Sequence, residues 1–273
     1  MKVLIAILTS EKIDKLGRCV ESVLPQIDLT NIVIVINTNN SNYARQAQLL
    51  ADGYGINTVI TESNGKPGKG KNSLIKYFLE TDFTHVIPVD GDDMLLPNAV
   101  EKLLAIASDR NPDILGLIDG LVLLNNETMP VTEWQDHAVL LKRSIDSTDP
   151  KNLKRLNVHV VKLKRVASEY GNALNRFILF NRKAASYISY DESISSGEDV
   201  KQGMLLKLMQ HKGKIDYLLL SSQNIYLYDV TDPGACFAVC RVDPHVESTL
   251  FWEGIPVEQI NILRSFQLEC LRD

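Results

Sequence analysis

The chain has 273 residues, 45% of them hydrophobic and 23% charged, with a formal net charge of −5. That length holds one large domain or two small ones with ample core, and the acidic balance gives no footprint for non-specific nucleic-acid binding. Cys19, Cys236, Cys240 and Cys270 form no CxxC pair and stand at no zinc-ligand spacing from a histidine, so reduced thiols are expected.

Val3 to Leu8 is an unbroken apolar run, the pattern of a strand buried on both faces. Glu11 and Lys12 end it too soon for a signal peptide, and no window reaches the ~18 apolar residues of a membrane span, so a soluble, cytoplasmic protein is expected. Past the polar loop Thr9-Ser10-Glu11-Lys12, apolar spacing from Ile13 to Leu24 marks a helix that stops at Pro25. Ile32 to Ile36 is a second buried strand, closed by the polar cluster Asn37 to Asn42. A helix from about Tyr43 to Ala51 leads to a third strand, Ile56 to Ile60. A loop over Glu62 to Lys71, a helix over Ser73 to Leu79 and a fourth strand, Val86 to Val89, follow. Four repeats of strand, loop and helix predict an α/β fold with a mostly parallel central sheet flanked by helices.

A helix over 97–107 comes next, opened by Pro97. Ile114 to Ile118 and Leu121 to Leu124 read as a hairpin around Asp119-Gly120. Residues 126–170 lose the alternation and carry Trp134, His137 and a basic run from Lys151 to Arg165. Strand 177–180, helices 183–187 and 200–209, and strands 215–220 and 225–228 restore it. Val257, Ile260, Leu263, Phe266 and Cys270 share one face of a final helix, suited to docking on the body or on a second copy as a homodimer. No Gly/Ser/Pro linker interrupts the chain. The expected organisation is one domain over 1–245, with a nucleotide-binding half (1–108) and an acceptor half (109–245), followed by a helical extension over 246–273.

The stretch HVIPVDGDDMLLP (85–97) carries most of the chemistry. A strand delivers Asp90, Asp92 and Asp93 to its carboxyl end, where open α/β sheets bind ligands. Three carboxylates in four residues repel one another unless a cation lies among them, and Mg²⁺ or Mn²⁺ suits such oxygen donors. An acidic turn capping the next helix is the plainer reading. In SSGEDVKQGMLLKL (195–208), Glu198 and Asp199 open a helix, where acids suit the helix dipole. A carboxylate held there can also take a proton from a hydroxyl.

The loop NGKPGKGKNS (64–73) follows the phosphate-cradling P-loop pattern through Gly65, Gly70 and Lys71, but Asn72 stands where a hydroxyl would hold Mg²⁺. A P-loop-type NTPase or nucleotidyltransferase using 65–71 as its phosphate loop therefore stays open, as does a plain mobile turn.

Several of these pieces, in this order, resemble the inverting nucleotide-sugar glycosyltransferases of the GT-A fold, particularly family 2. They are ESVLPQ (21–26), GKGKN (68–72) where the family often has Ala-Arg-Asn, VIPVDGDDMLLPNAVEKL (86–103) and RFILFNRKAASYISYDESISSGEDV (176–200). The resemblance implies a GT-A (Rossmann-like) sheet with a variable acceptor half and a hexosyltransferase-type, metal-dependent enzyme. Its donor would be a nucleotide-diphosphate sugar, and its acceptor a glycan, lipid carrier, protein or nucleic acid. Asp92 and Asp90 would hold the metal, with Gly91 and Asp93 completing the donor motif. Thr9, Glu11 and Asn37 would contact the nucleotide, and Lys71 would stand by the diphosphate. Asp199 would be the general base, with Glu198 orienting the acceptor. Asn37 replaces an acid, and in place of a histidine beyond the Glu-Asp pair the chain offers Tyr226, Tyr228 and Asp229, with His245 further on. A catalytically silent GT-A-like binding module is the third reading.

Overall fold

The computed structural model describes residues 1–117, 121–124, 127–130, 176–194, 198–220 and 225–229. The basic run, Trp134, His137, His245 and the C-terminal helix lie outside the described residues, as do the three cysteines beyond Cys19.

Strands β1 (Val3–Thr9), β2 (Ile32–Asn37) and β4 (His85–Asp90) form the middle of a seven-stranded sheet in the order β10-β6-β9-β4-β1-β2-β3. Here β3 is Asn57–Thr61, β6 Ile114–Leu117, β9 Arg176–Asn181 and β10 Tyr217–Leu220. All run the same way except β9, which is antiparallel to β4 and β6. The reason lies in the period of two along each strand. Val3, Ile5 and Ile7 join one core with Ile32, Ile34, Ile36, Ile87 and Val89, whereas Leu4 and Ala6 join the opposite core with Val33, Val35 and Val86. Both faces are apolar, so both must be covered, and only helices between parallel strands do that.

Helices α1 (Ile13–Val23), α2 (Ser41–Tyr54) and α4 (Ala99–Arg110) cover the first face through Leu16, Val20, Ala47 and Leu103. Helices α3 (Pro67–Glu80), α5 (Arg182–Ala185) and α6 (Glu198–His211) cover the second through Leu74, Phe78, Ala184 and Leu206. Consequently α3 and α6 share a face of the sheet although more than a hundred residues separate them.

A second sheet, β5-β11-β7-β8, joins Met94–Leu95, Tyr226–Asp229, Leu121–Leu124 and Glu127–Pro130. It corrects two expectations. β6 and β7 lie in different sheets and make no hairpin; β7 pairs antiparallel with β8 instead, and parallel with β11. The apolar register of β6 against β9 and β10 outweighs the local turn signal. The expected loop to Lys71 is also shorter, because α3 already starts at Pro67, with proline in the first turn.

Candidate active site

The sheet order places a switch point between β1 and β4: the chain leaves β1 toward β2 and β3, then returns to β4 on the other side. Ligands bind at such crevices, outside the carboxyl ends of the strands. Thr9, Asn37 and Asp90 end the three central strands there.

Asp90 faces the α3/α6 side, since it shares the parity of Val86. Gly91 donates its N–H to Leu8 O at 2.7 Å. A Cβ on Gly91 would lie 2.9 Å from Thr9 Cβ and 3.0 Å from Leu8 O, so the turn approaches β1 too closely for any side chain. Asp92 has Lys12 Nζ 3.9 Å away. Burial, then the charge of Asp90, raises its carboxyl above the usual range, and Lys12 opposes them. Lys12 itself holds a left-handed backbone, φ 71°, a strained conformation for a long side chain and one that clusters at functional sites.

Asp93 is buried, and its carboxylate accepts from Tyr226 OH at 2.8 Å and from the Asp229 N–H at 2.9 Å. It binds the turn to the second sheet. Asp229 is fully enclosed between Lys15 and Arg18 of α1. Two cations already flank its carboxylate, which suits it poorly to holding a metal ion as well. Sequence reasoning missed this buried network, whose partners lie 133 to 214 residues apart.

The nucleotide candidates divide. Thr9 is buried and hydrogen-bonded to the Tyr43 phenol, which burial pushes up to about 12. Asn37 donates to Thr61 Oγ1 at 2.8 Å and Glu62 O at 3.0 Å, tying β2 to the end of β3. Glu11 is exposed at the rim.

On the second face Lys71 Nζ lies 2.6 Å from Glu198 Oε1 and 2.6 Å from each Asp199 oxygen. Burial disfavours its charge, but Asp199, Glu198 and Asp90 prevail and hold the ammonium well above the usual lysine range. Glu198 is nearly enclosed (side chain 7% exposed), while Asp199 is about half open at 46%. Burial first and Asp199 second raise the Glu198 carboxyl, with Lys71 opposing. Asn72, read as a broken P-loop hydroxyl, clamps the segment before α6: it accepts from the Tyr190 N–H at 2.8 Å and donates to Tyr190 O and Glu192 Oε1, each at 2.9 Å. With Gly70 and Lys71 inside α3, and Lys71 facing carboxylates, residues 65–71 do not make a free phosphate-cradling loop.

Among the described residues no three His, Cys, Asp or Glu side chains converge as a metal cluster. Asp90 and Asp92 nonetheless fit a hard divalent ion. Their mutual repulsion is recorded in Asp92, and Mg²⁺ is commonly held by one or two carboxylates with substrate phosphates supplying the rest. No described helix is long and apolar enough to cross a membrane.

Residues 4–135 match the sequence model described as Glycosyl transferase family 2. Among solved structures, S. aureus TarS 1-349 in complex with UDP-GlcNAc is similar at TM-score 0.62 and 15% identity, over 99% of this chain and 70% of that one. TarS 1-349 in complex with UDP is similar at 0.54 and 14%, over 93% and 70% of the two chains. TarS 1-349 alone is similar at 0.52 and 16%, over 88% of this chain. The present chain spans 63% of the length of that fragment and 38% of the longer TarS chain. No curated protein sequence matches. The likeness is one of fold: a mostly parallel α/β sheet of the GT-A kind, as the sequence resemblance implied.

Proposed function

We propose that this GT-A, family 2-like chain is an inverting glycosyltransferase that moves a sugar from a nucleotide-diphosphate donor to an acceptor hydroxyl. The observation carrying this reading is geometric: Asp90 ends β4 on the α3/α6 side, and on that same side Lys71 Nζ contacts both oxygens of Asp199 at 2.6 Å. A donor motif at the switch point and a carboxylate at a helix start therefore share one crevice.

In this reading Asp90 and Asp92 hold Mg²⁺ or Mn²⁺, which supplies charge stabilisation to the departing diphosphate. Gly91 keeps the turn low against β1 so that the carboxylates reach the crevice, and Asp93 fixes the turn from behind. Thr9, Glu11 and Asn37 stand at the strand ends where the nucleotide would lie. Asp199 accepts the proton of the acceptor hydroxyl. An aspartate is a weak base, so its placement at the start of α6 must supply much of the rate. Because TarS is solved with UDP-GlcNAc, a UDP-sugar is the first donor to test.

The test is calorimetric titration of UDP, GDP, CDP and TDP with and without Mn²⁺. One diphosphate should bind more tightly with manganese, by roughly tenfold or more, and chelation or Asp92→Ala should remove that gain. Binding indifferent to both manganese and Asp92 would refute the metal role. Manganese-dependent binding without turnover of any donor would favour the silent binding module.

A further inference from the structure

The family resemblance assigns Lys71 to the diphosphate and Glu198 to the acceptor; the geometry divides these roles differently. Lys71 sits one turn into α3, its side chain 16% exposed, and its Nζ contacts both oxygens of Asp199 and one of Glu198. The Tyr190 ring lies beneath the ammonium, 5.3 Å from its centroid. The groups facing Lys71 are thus Glu198 and Asp199 from α6, Tyr190 from the preceding segment and the charge of Asp90 from β4. Of the two acids in contact, the enclosed Glu198 is shielded from any acceptor, whereas the half-open Asp199 is accessible.

We propose that Lys71 is a positioning residue for the base: Glu198 anchors the ammonium, and the ammonium grips Asp199 in the orientation that receives the acceptor proton. This rests on the glycosyltransferase reading above. Four neighbouring contacts hold the lysine in register. Asn72, the residue after Lys71, holds the Tyr190 backbone through its side-chain amide. Gly68 abuts the Asp191 carbonyl so closely that a Cβ there would fall at 2.4 Å. Lys69 pairs with Glu192 of the segment leading to α6 at 3.4 Å. At the far end of α3, Arg182 donates to Phe78 O, Leu79 O and Thr81 O, so α3 and the segment leading to α6 are joined at both ends.

The experiment compares wild type with Lys71→Met, Lys71→Arg and the charge-balanced Lys71→Met/Glu198→Gln, which guards against an unpaired buried Glu198 unfolding the first variant. Two readouts are taken: calorimetric binding of UDP with Mn²⁺, and steady-state release of UDP from UDP-GlcNAc. For both neutral variants kcat should fall on the order of 10²-fold. Donor KM and UDP affinity should stay within about threefold of wild type, and arginine should recover a large part of kcat. A weakening of UDP binding by about tenfold or more at unchanged kcat would assign Lys71 to the diphosphate and overturn the proposal. A wild-type kcat in Lys71→Met would overturn it as a merely structural contact. A ligand-free arm keeps the inference separate from the function. Denaturant midpoints of Lys71→Met, Asp199→Asn and the double variant should be non-additive, and additivity would refute the grip even if no nucleotide binds.

Discussion

The two acidic groups of the crevice are built on the same plan and finished differently. The turn after β4 takes its cations from α1 and the residue before it, and the acids opening α6 take theirs from α3. In the first group Lys15 and Arg18 are committed to Asp229, and Lys12 stands 3.9 Å from Asp92, beyond hydrogen-bonding range. In the second, one lysine makes three contacts of 2.6 Å. At the exposed end of the first group, burial and the charge of Asp90 still raise the Asp92 carboxyl against the opposition of Lys12, the condition that suits an incoming cation. The second has its cation in direct contact with both carboxylates and leaves one of them half open as a proton acceptor. On the proposed reading, the contrast separates a docking place for a metal and diphosphate from a fixed place for a base.

The sharpest break is Asp199→Asn. Removing the base should lower donor turnover roughly 10²–10⁴-fold while manganese-dependent diphosphate binding persists; equal loss of both would show that the two groups are not separate. Next is Asp229→Asn, which leaves the enclosed Lys15 without its counter-charge. A loss of about 3 kcal/mol in urea unfolding is expected, and a loss near zero would mean that α1 does not depend on this ion pair. Smaller is Asn72→Ala, which deletes the contacts to Tyr190 and Glu192. It should cost about 1–3 kcal/mol and lower turnover more than diphosphate binding, because the clamp lies on the base side.

The smallest effect concerns a control away from both groups. Lys183, Asn181 and the Asp216 N–H hold the Asp113 carboxyl below its ordinary 3.8, against the effect of burial. Its folded pKa is depressed, so the stability it adds is present above 3.8 and is lost as pH falls through the folded value. Acid titration of unfolding should therefore show a shallower slope for Asp113→Asn, with diphosphate binding at neutral pH unchanged.

Much of the sheet and of the β4 end of the crevice was legible because its signals are local. Buried runs such as Val3 to Leu8 set the strands, and period two alone sends Ile5 and Leu4 to opposite cores. Strand ends then bring Asp90 and Thr9 to one edge. The remainder depends on partners that no window contains. Glycines in 64–73 suggested a loop, yet Gly68 belongs to a helix, where the Asp191 carbonyl leaves no room for a side chain. Asn72 looked like a defect in a phosphate motif until Tyr190, 118 positions later, supplied its purpose. Asp119-Gly120 gave a hairpin signal, but Leu121 to Leu124 finds its partners in β8 and β11. Asp229 offered itself as a metal ligand by position, and only the fold reveals the two cations around it.

Asp90 reaches the α3/α6 side because it falls on the even phase of β4. That parity limits how the gene can change length. A single codon gained or lost inside β4 would rotate the donor acid toward α1 and place Ile87 and Val89 in the wrong core. Two codons would restore the phase but move the acid some 6–7 Å along the strand axis. Natural and laboratory length variation in this chain should therefore collect in the connections between elements and spare the eight residues from His85 to Asp92.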